Sequence, residues 1–283
     1  MKHAYLIIAH NDFNLLRRLV KSIDDRRNDI YIHIDKKVEN IPSIVTEQSK
    51  LFFLYNRIDA RWGDFSLVEA ELALFEASHK CGDYSYYHLL SGVDLPIKSQ
   101  DYIHSFCENN NGKEFIGFAN NASEGELKWR TQHFFIFSRR FKTKNFFIRS
   151  FRAAIVKLQD VLGYNRSSEQ IKKGSQWCTI SSDLVDYILQ NRRRIYELFH
   201  HTYCPDEMFI QTLCWNSDFR NRVYDLSEEF SGCRRFIKWE NGELKPICID
   251  DMSAMLKSEA WFARKFSSSD NSLMEAYDRV FVF

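Results

Sequence analysis

The sequence predicts an α/β protein whose central, mostly parallel sheet carries helices on both faces. Three observations predict it. Apolar strand-like runs alternate with amphipathic helical runs through roughly the first 110 residues, the pattern of a doubly wound sheet. The first run, Tyr5-Leu-Ile-Ile-Ala9, is near-continuously apolar, as a parallel strand buried on both faces is. No Gly/Ser/Pro-rich linker interrupts the 283 residues, so a single domain over 1–283 is expected.

After the first strand, Leu15, Leu16, Leu19, Val20 and Ile23 recur at helical spacing, with Asp12 placed to cap the helix. The run Ile30–Asp35 alternates and reads as a second strand, with His33 and Asp35 on one side and Ile30, Ile32 and Ile34 on the other. Ser66–Ala77 reads as a helix, and Ser66 with Glu69 has the spacing of a capping box. A third strand is expected at Tyr84–Leu90, a helix at Ser99–Cys107 and a fourth strand at Glu114–Phe118. Between Asn120 and Lys173 the character changes: Arg139, Arg140, Lys142, Lys144, Arg149, Arg152 and Lys157 are interleaved with Phe141, Phe146, Phe147 and Phe151. Beyond it follow a strand near Gln176–Ile180, a helix over Asp183–Phe199, a short helix near Asp206–Trp215 and another at Asp251–Lys257.

Composition narrows the class. Hydrophobic residues at 45% and charged residues at 27% exclude a disordered chain, and a net charge of +1 gives no global field toward nucleic acid. Seven scattered cysteines without a C-x-x-C pair read as buried thiols in a reducing compartment. No apolar run approaches the ~18 residues of a membrane span, and Ala4–Ala9 is too short for a signal-peptide core. A soluble, cytoplasmic protein is expected.

Chemistry-bearing motifs are mostly absent: there is no glycine-rich phosphate loop, no G-x-S-x-G, no H-E-x-x-H and no Asp-x-Asp. A diphosphate handled here must be neutralised by Lys and Arg. Cys204-Pro-Asp-Glu-Met208 puts two carboxylates at a helix start, where they either supply a general base or complement the helix dipole. Asp35 and Asp94 stand after strands, the end at which open α/β sheets bind ligands, though each also suits a turn. Trp261-Phe-Ala-Arg-Lys-Phe266 sets Arg264 and Lys265 between aromatics, a diphosphate grip or an ordinary snorkelling surface. Trp239 either stacks on a sugar face or fills the core.

Taken in order, five segments resemble the core-2/I-branching β-1,6-N-acetylglucosaminyltransferase family, which includes the peptide O-xylosyltransferases. They are Leu6-Ile-Ile-Ala-His10 with Tyr31-Ile-His-Ile-Asp-Lys36, Arg61-Trp-Gly-Asp-Phe-Ser66, His88-Leu-Leu-Ser-Gly-Val-Asp-Leu-Pro-Ile-Lys98, Lys173-Gly-Ser-Gln-Trp177 leading to Pro205-Asp-Glu207, and Trp261 to Phe266. The resemblance implies a GT-A type fold, with a nucleotide-binding half over about 1–118 and an acceptor and catalytic half over about 119–283. It implies an inverting, metal-independent transfer of N-acetylglucosamine or xylose from a UDP-sugar, with no cofactor. Glu207 would match the catalytic base. Lys265, Arg264 and Lys245 would face the diphosphate, while Ala9, His10, Asp35 and Asp94 would border the nucleotide pocket. Trp239, Asp206, Glu126 and Arg130 would lie on the acceptor side.

The stem, membrane anchor and disulfides of the Golgi members have no counterpart here, so a soluble bacterial enzyme building cell-surface or exported polysaccharide is expected. The family's second acceptor-site aromatic is Asn241. The acceptor is expected to be a glycan or lipid-linked oligosaccharide, with peripheral contact to the inner face of the cytoplasmic membrane through 139–157. Two other readings stay open: an inactive nucleotide-sugar- or carbohydrate-binding protein on the same fold, and a hydrolase using Asp206 and Glu207. The hydrolase ranks last, because adjacent side chains seldom flank opposite faces of one sugar ring.

Overall fold

The computed structural model describes residues 1–164, 169–240 and 242–281. The N-terminal part runs β1 (His3–Ala9), α1 (Phe13–Ser22), β2 (Asn28–Ile34), β3 (Lys50–Phe53), α2 (Ser66–Cys81), β4 (Tyr86–Ser91), β5 (Leu95–Pro96) and α3 (Gln100–Asn109). Then come α4 (Glu124–Gln132), α5 (Phe146–Val161), β6 (Thr179–Ser181), α6 (Ser182–Gln190), α7 (Arg192–Phe199) and α8 (Phe209–Trp215). The remainder is α9 (Glu229–Cys233), β7 (Arg235–Ile237), a hairpin of β8 (Trp239–Glu240) and β9 (Glu243–Leu244), α10 (Met252–Lys257), β10 (Phe262–Arg264) and α11 (Asn271–Phe281).

The main sheet has the order β3-β2-β1-β4-β6, and every junction is parallel except β4 with β6. Alternation along β1 divides the core. Ala4, Leu6 and Ile8 pack with Val68 and Phe75 of α2, Leu184 of α6 and Phe209 of α8. Tyr5, Ile7 and Ala9 pack instead with Leu15 and Leu19 of α1, Ile103 of α3 and Tyr277 of α11. Helices therefore cover both faces, as the sequence predicts. A second sheet, β5-β10-β7, joins the end of the chain to the loop after β4.

Asp12 caps α1 as expected, accepting from Leu15 N at 3.2 Å. The capping box at Ser66 does not form: its hydroxyl accepts from Arg61 N, its own N–H donates to Asp64, and both bonds fold the preceding loop. The fourth strand expected at Glu114–Phe118 is reduced to single bridges, Glu114 with Val223 and Phe115 with Thr179. The segment then leaves the sheet, because Gly117 runs against the backbones of Gly174 and Glu229. The helix expected over 183–199 breaks at Asn191, whose side-chain amide and backbone N–H both donate to the Tyr187 carbonyl. Among the described residues no helix is long and apolar enough to cross a membrane.

Candidate active site

The parallel register brings the ends of β1, β2 and β4 side by side, with Ala9 opposite Ile34 and Ile8 opposite Ser91. This is the edge at which an open α/β sheet presents its ligand crevice. Asp35 N–H donates to the Ala9 carbonyl at 2.9 Å, and the Asp35 carboxylate holds Lys37 Nζ at 2.8 Å. Gly92 is required just after β4, since a Cβ there would stand 2.7 Å from Ala9 Cβ.

Asp94 is both turn residue and anchor. Its carboxylate accepts from Ser91 Oγ at 2.6 Å and Ser91 N at 2.9 Å, and from Arg264 Nε at 3.1 Å. Arg264 is buried, with its guanidinium 4.3 Å from the Trp177 ring centre. These contacts fix β10, and the peptide that follows puts Lys265 beside His10. Burial lowers the Lys265 pKa from its ordinary value, and the positive charges of Arg264 and Lys142 lower it further. Burial likewise lowers His10; Asp35 opposes this, while Lys37, Lys265 and Lys142 add to it. Lys142, whose ammonium lies 4.6 Å from the Trp62 ring centre, thus joins this corner from the basic-aromatic stretch. Among the described residues Lys265 and Lys142 make no ion pair with a carboxylate, so the corner carries uncompensated positive charge.

Glu207 sits elsewhere in the crevice region, on a tight turn, Pro205–Glu207, that leads into α8. Pro205 begins the turn after Cys204, which takes a left-handed φ of 50° and donates its N–H to the Gly63 carbonyl at 3.0 Å. The Glu207 carbonyl accepts from Gly174 N at 2.9 Å. Four charged side chains meet here. Arg130 Nη1 is 2.8 Å from Glu207 Oε2 and Arg130 Nη2 is 2.8 Å from Glu126 Oε1. Lys173 Nζ lies 3.1 Å from Glu126 Oε1 and 3.9 Å from Glu207 Oε2. Glu207 Oε1 has no partner among the described residues, and its side chain is 35% exposed. One carboxylate oxygen is clamped and the other faces solvent, the arrangement a base needs to receive a hydroxyl proton.

Asp206 points the other way, into the core, with Oδ1 lacking a hydrogen-bond partner among the described residues. Burial, with the adjacent Glu207 charge, raises its pKa to about 7. Glu71 of α2 lies beneath it, fully buried and raised well above the carboxylate range by burial and by Asp206. Glu229 completes the surroundings: burial raises it to about 7, Lys173 opposing and Glu207 reinforcing.

The structure thus brings Glu126, Arg130 and Glu207 together, and separately Ala9, His10, Asp35, Asp94, Arg264 and Lys265. Trp239 is 52% exposed on the β8–β9 hairpin rather than in the core. Lys245 follows that hairpin with its ammonium on Glu243, not on the Lys265 group, although Ile247 N–H donates to the Lys265 carbonyl at 2.8 Å. Asn241 lies outside the described residues. Sequence reasoning leaves Lys173 without a role and places Lys142 only in the basic-aromatic stretch 139–157. Lys173 opens the Lys-Gly-Ser-Gln-Trp segment, whereas Glu229 carries no local signal. Among the described residues no group of three or more His, Cys, Asp or Glu is disposed to hold a metal ion.

Comparison with known proteins gives a consistent picture. A human beta-1,3-galactosyl-O-glycosyl-glycoprotein beta-1,6-N-acetylglucosaminyltransferase is 24% identical over 295 residues, covering 93% of this chain and 65% of its own length. A xylosyltransferase of Ciona intestinalis is 23% identical over 288 residues, covering 94% of this chain and 32% of its own. The chain therefore spans about two thirds of the first relative and one third of the second. The structure of mouse xyloside xylosyltransferase 1 in its apo form matches at a TM-score of 0.36 and 10% identity, over 93% of this chain and 96% of that one. The model of the Core-2/I-branching enzyme family matches residues 3–260, and the chain belongs to that family.

Proposed function

We propose that this protein is an inverting, metal-independent glycosyltransferase. It moves N-acetylglucosamine or xylose from a UDP-sugar to a glycan or lipid-linked acceptor, with Glu207 as general base. Residues 1–118 supply the nucleotide side of one GT-A type domain and 119–283 the acceptor side, from which Lys142 and Lys265 reach across to the diphosphate. The observation that carries the reading is the division of labour between two corners: among the described residues, a Glu207 Oε1 without a partner in one, and Lys265 and Lys142 without a carboxylate partner in the other.

Glu207 Oε1 takes the proton of the acceptor hydroxyl as that oxygen attacks the anomeric carbon. The bond from that carbon to the β-phosphate oxygen breaks on the opposite side, so configuration inverts. The negative charge left on UDP is met by Lys265, Lys142 and, when protonated, His10. Arg264 supports Lys265 rather than reaching the phosphate itself, since Asp94 and Trp177 already engage it. The reading includes a cytoplasmic location at the inner face of the cytoplasmic membrane, and a role in cell-surface or exported polysaccharide.

Calorimetric titration with UDP, UDP-N-acetylglucosamine and UDP-xylose in EDTA, followed by product analysis with candidate acceptors, tests it. Binding in EDTA with transfer is expected. Binding that requires a divalent ion removes metal independence, and binding with no turnover on any acceptor leaves an inactive binding protein.

A further inference from the structure

Helix α5 leaves a broad apolar stripe exposed. Phe147, Phe151, Ala154, Leu158, Val161 and, just past its end, Leu162 follow one another at helical spacing and so share one face. That face points to solvent: Phe147 is 80% exposed, Val161 76% and Leu162 72%. The side held to the body carries the half-buried Ile148, Arg152, Ile155, Val156 and Gln159. Gln159 donates to the Phe134 carbonyl at 3.1 Å and accepts from Phe134 N at 2.6 Å, Asp160 meets His133 Nε2 at 2.7 Å, and Arg152 lies 5.0 Å from the Phe141 ring centre. A surface helix ordinarily presents a polar outer face, so this exposed stripe is missing what covers it.

Charge identifies the cover. From Leu127 to Gln159 the sequence contains no Asp or Glu; Arg140 and Lys144 stand exposed just before α5, Lys157 is exposed at the flank of the stripe, and Arg149 is exposed on the cavity side. A two-fold contact between copies would set these cations against their own images, which like-charge repulsion opposes. An anionic bilayer satisfies both features, taking the apolar stripe into its acyl boundary and the cations at its headgroups.

We propose that α5 is an interfacial helix that lays this protein on anionic membrane. It deepens, and rests on, the reading of a transferase acting at a membrane, because the helix adjoins the catalytic corner. A cavity of about 420 Å³ beneath α5 is lined by Arg152, Val156, Trp129 and Tyr203, and the Tyr203 ring centre is 5.4 Å from the Arg130 guanidinium that holds Glu207. Docking through α5 holds the Glu207 corner near the bilayer, on whose surface the head of a lipid-linked acceptor lies.

Vesicle co-sedimentation tests it without turnover. The purified protein should bind phosphatidylglycerol-containing vesicles at low salt and lose binding at high salt or on pure phosphatidylcholine. The Phe147→Glu/Leu158→Glu double variant, whose sites are solvent-exposed, should melt like wild type yet bind at least about tenfold more weakly. Absence of binding, equal binding by the variant, or self-association of wild type that the variant abolishes would each overturn the proposal. A protein that binds vesicles but no UDP-sugar keeps this inference and removes the proposed transfer.

Discussion

Arg130 holds Glu207 by one oxygen only: Nη1 lies 2.8 Å from Oε2, and Oε1 is left without a partner among the described residues. The other guanidinium nitrogen is 2.8 Å from Glu126, so Arg130 is fixed from both ends and cannot follow Glu207 if that side chain swings. Arg130 is thereby a positioning residue. On the proposed function it sets which carboxylate oxygen an acceptor meets, and its charge offsets the repulsion from Asp206 and Glu229.

Glu207→Gln keeps the size and the contact to Arg130 while removing the proton acceptor. Transfer should fall by about 10²–10⁴ in kcat, with UDP affinity unchanged. Steady-state kinetics beside calorimetry read both, and wild-type turnover in the variant would remove Glu207 as the base.

Lys265→Ala removes a cation that has no ion-pair partner among the described residues. A charge-assisted contact of about 1.5–3 kcal/mol corresponds to roughly 10- to 100-fold weaker UDP binding, with a shallower salt dependence. Affinity within twofold of wild type would exclude Lys265 from the diphosphate.

Gly174→Ala tests the joint behind the base. A Cβ at residue 174 would stand 1.9 Å from the Gly117 carbonyl oxygen, so backbone must move. Overpacking of this kind costs about 1–3 kcal/mol, and the Gly174 N–H bond to the Glu207 carbonyl moves with it. Thermal melts should drop and kcat should fall; a variant of unchanged stability and activity would show that this crossing is not required.

Acid stability depends on buried imidazoles. His3 stacks on His104 with ring centres 3.9 Å apart, and His88 Nε2 is 3.0 Å from His3 Nδ1. Burial lowers all three, His104 to about 4. A group lowered in the folded state gives stability that is intact above its unfolded value, near 6.5, and lost as pH falls toward its folded one. Each can cost up to about 1.4 kcal/mol per pH unit in that window. Asp206, raised to about 7 by burial, acts in the opposite sense between about pH 4 and 7, and Glu71, raised above the carboxylate range, acts in the same direction as Asp206. Urea unfolding at pH 7.5 and 5.5 should therefore show a smaller acid loss in His104→Gln than in wild type, the carboxyl contribution being common to both. Equal losses would contradict it.

The parts of the fold that local physics decides were legible. The apolar run of β1, the heptad-like Leu15 to Ile23 and the Asp12 cap all declare themselves over short windows, and the structure keeps them. The short edge strand β3, the reduction of 114–118 to single bridges and the exposed α5 depend on neighbours distant in sequence. The site divides in the same way. Glu207 and Lys265 stand in compact motifs, but the cluster around Glu207 is gathered from α4, the 173 loop and the 205 turn. Its ion pair between Arg130 and Glu207 crosses 77 positions. Lys142 reaches the corner of His10 only because the chain doubles back over Trp62.

The pairing of β10 between β5 and β7 has a consequence for a chain leaving the ribosome. β1, β2 and β4 emerge early and can align, and the turn bearing Glu207 follows, yet the strand that delivers Lys265 has its slot waiting beside residues 95–96 until position 266 is synthesised. A nascent chain can therefore hold Glu207 in place well before it holds Lys265. On the proposed function, the grip on the leaving group is then completed in one late step.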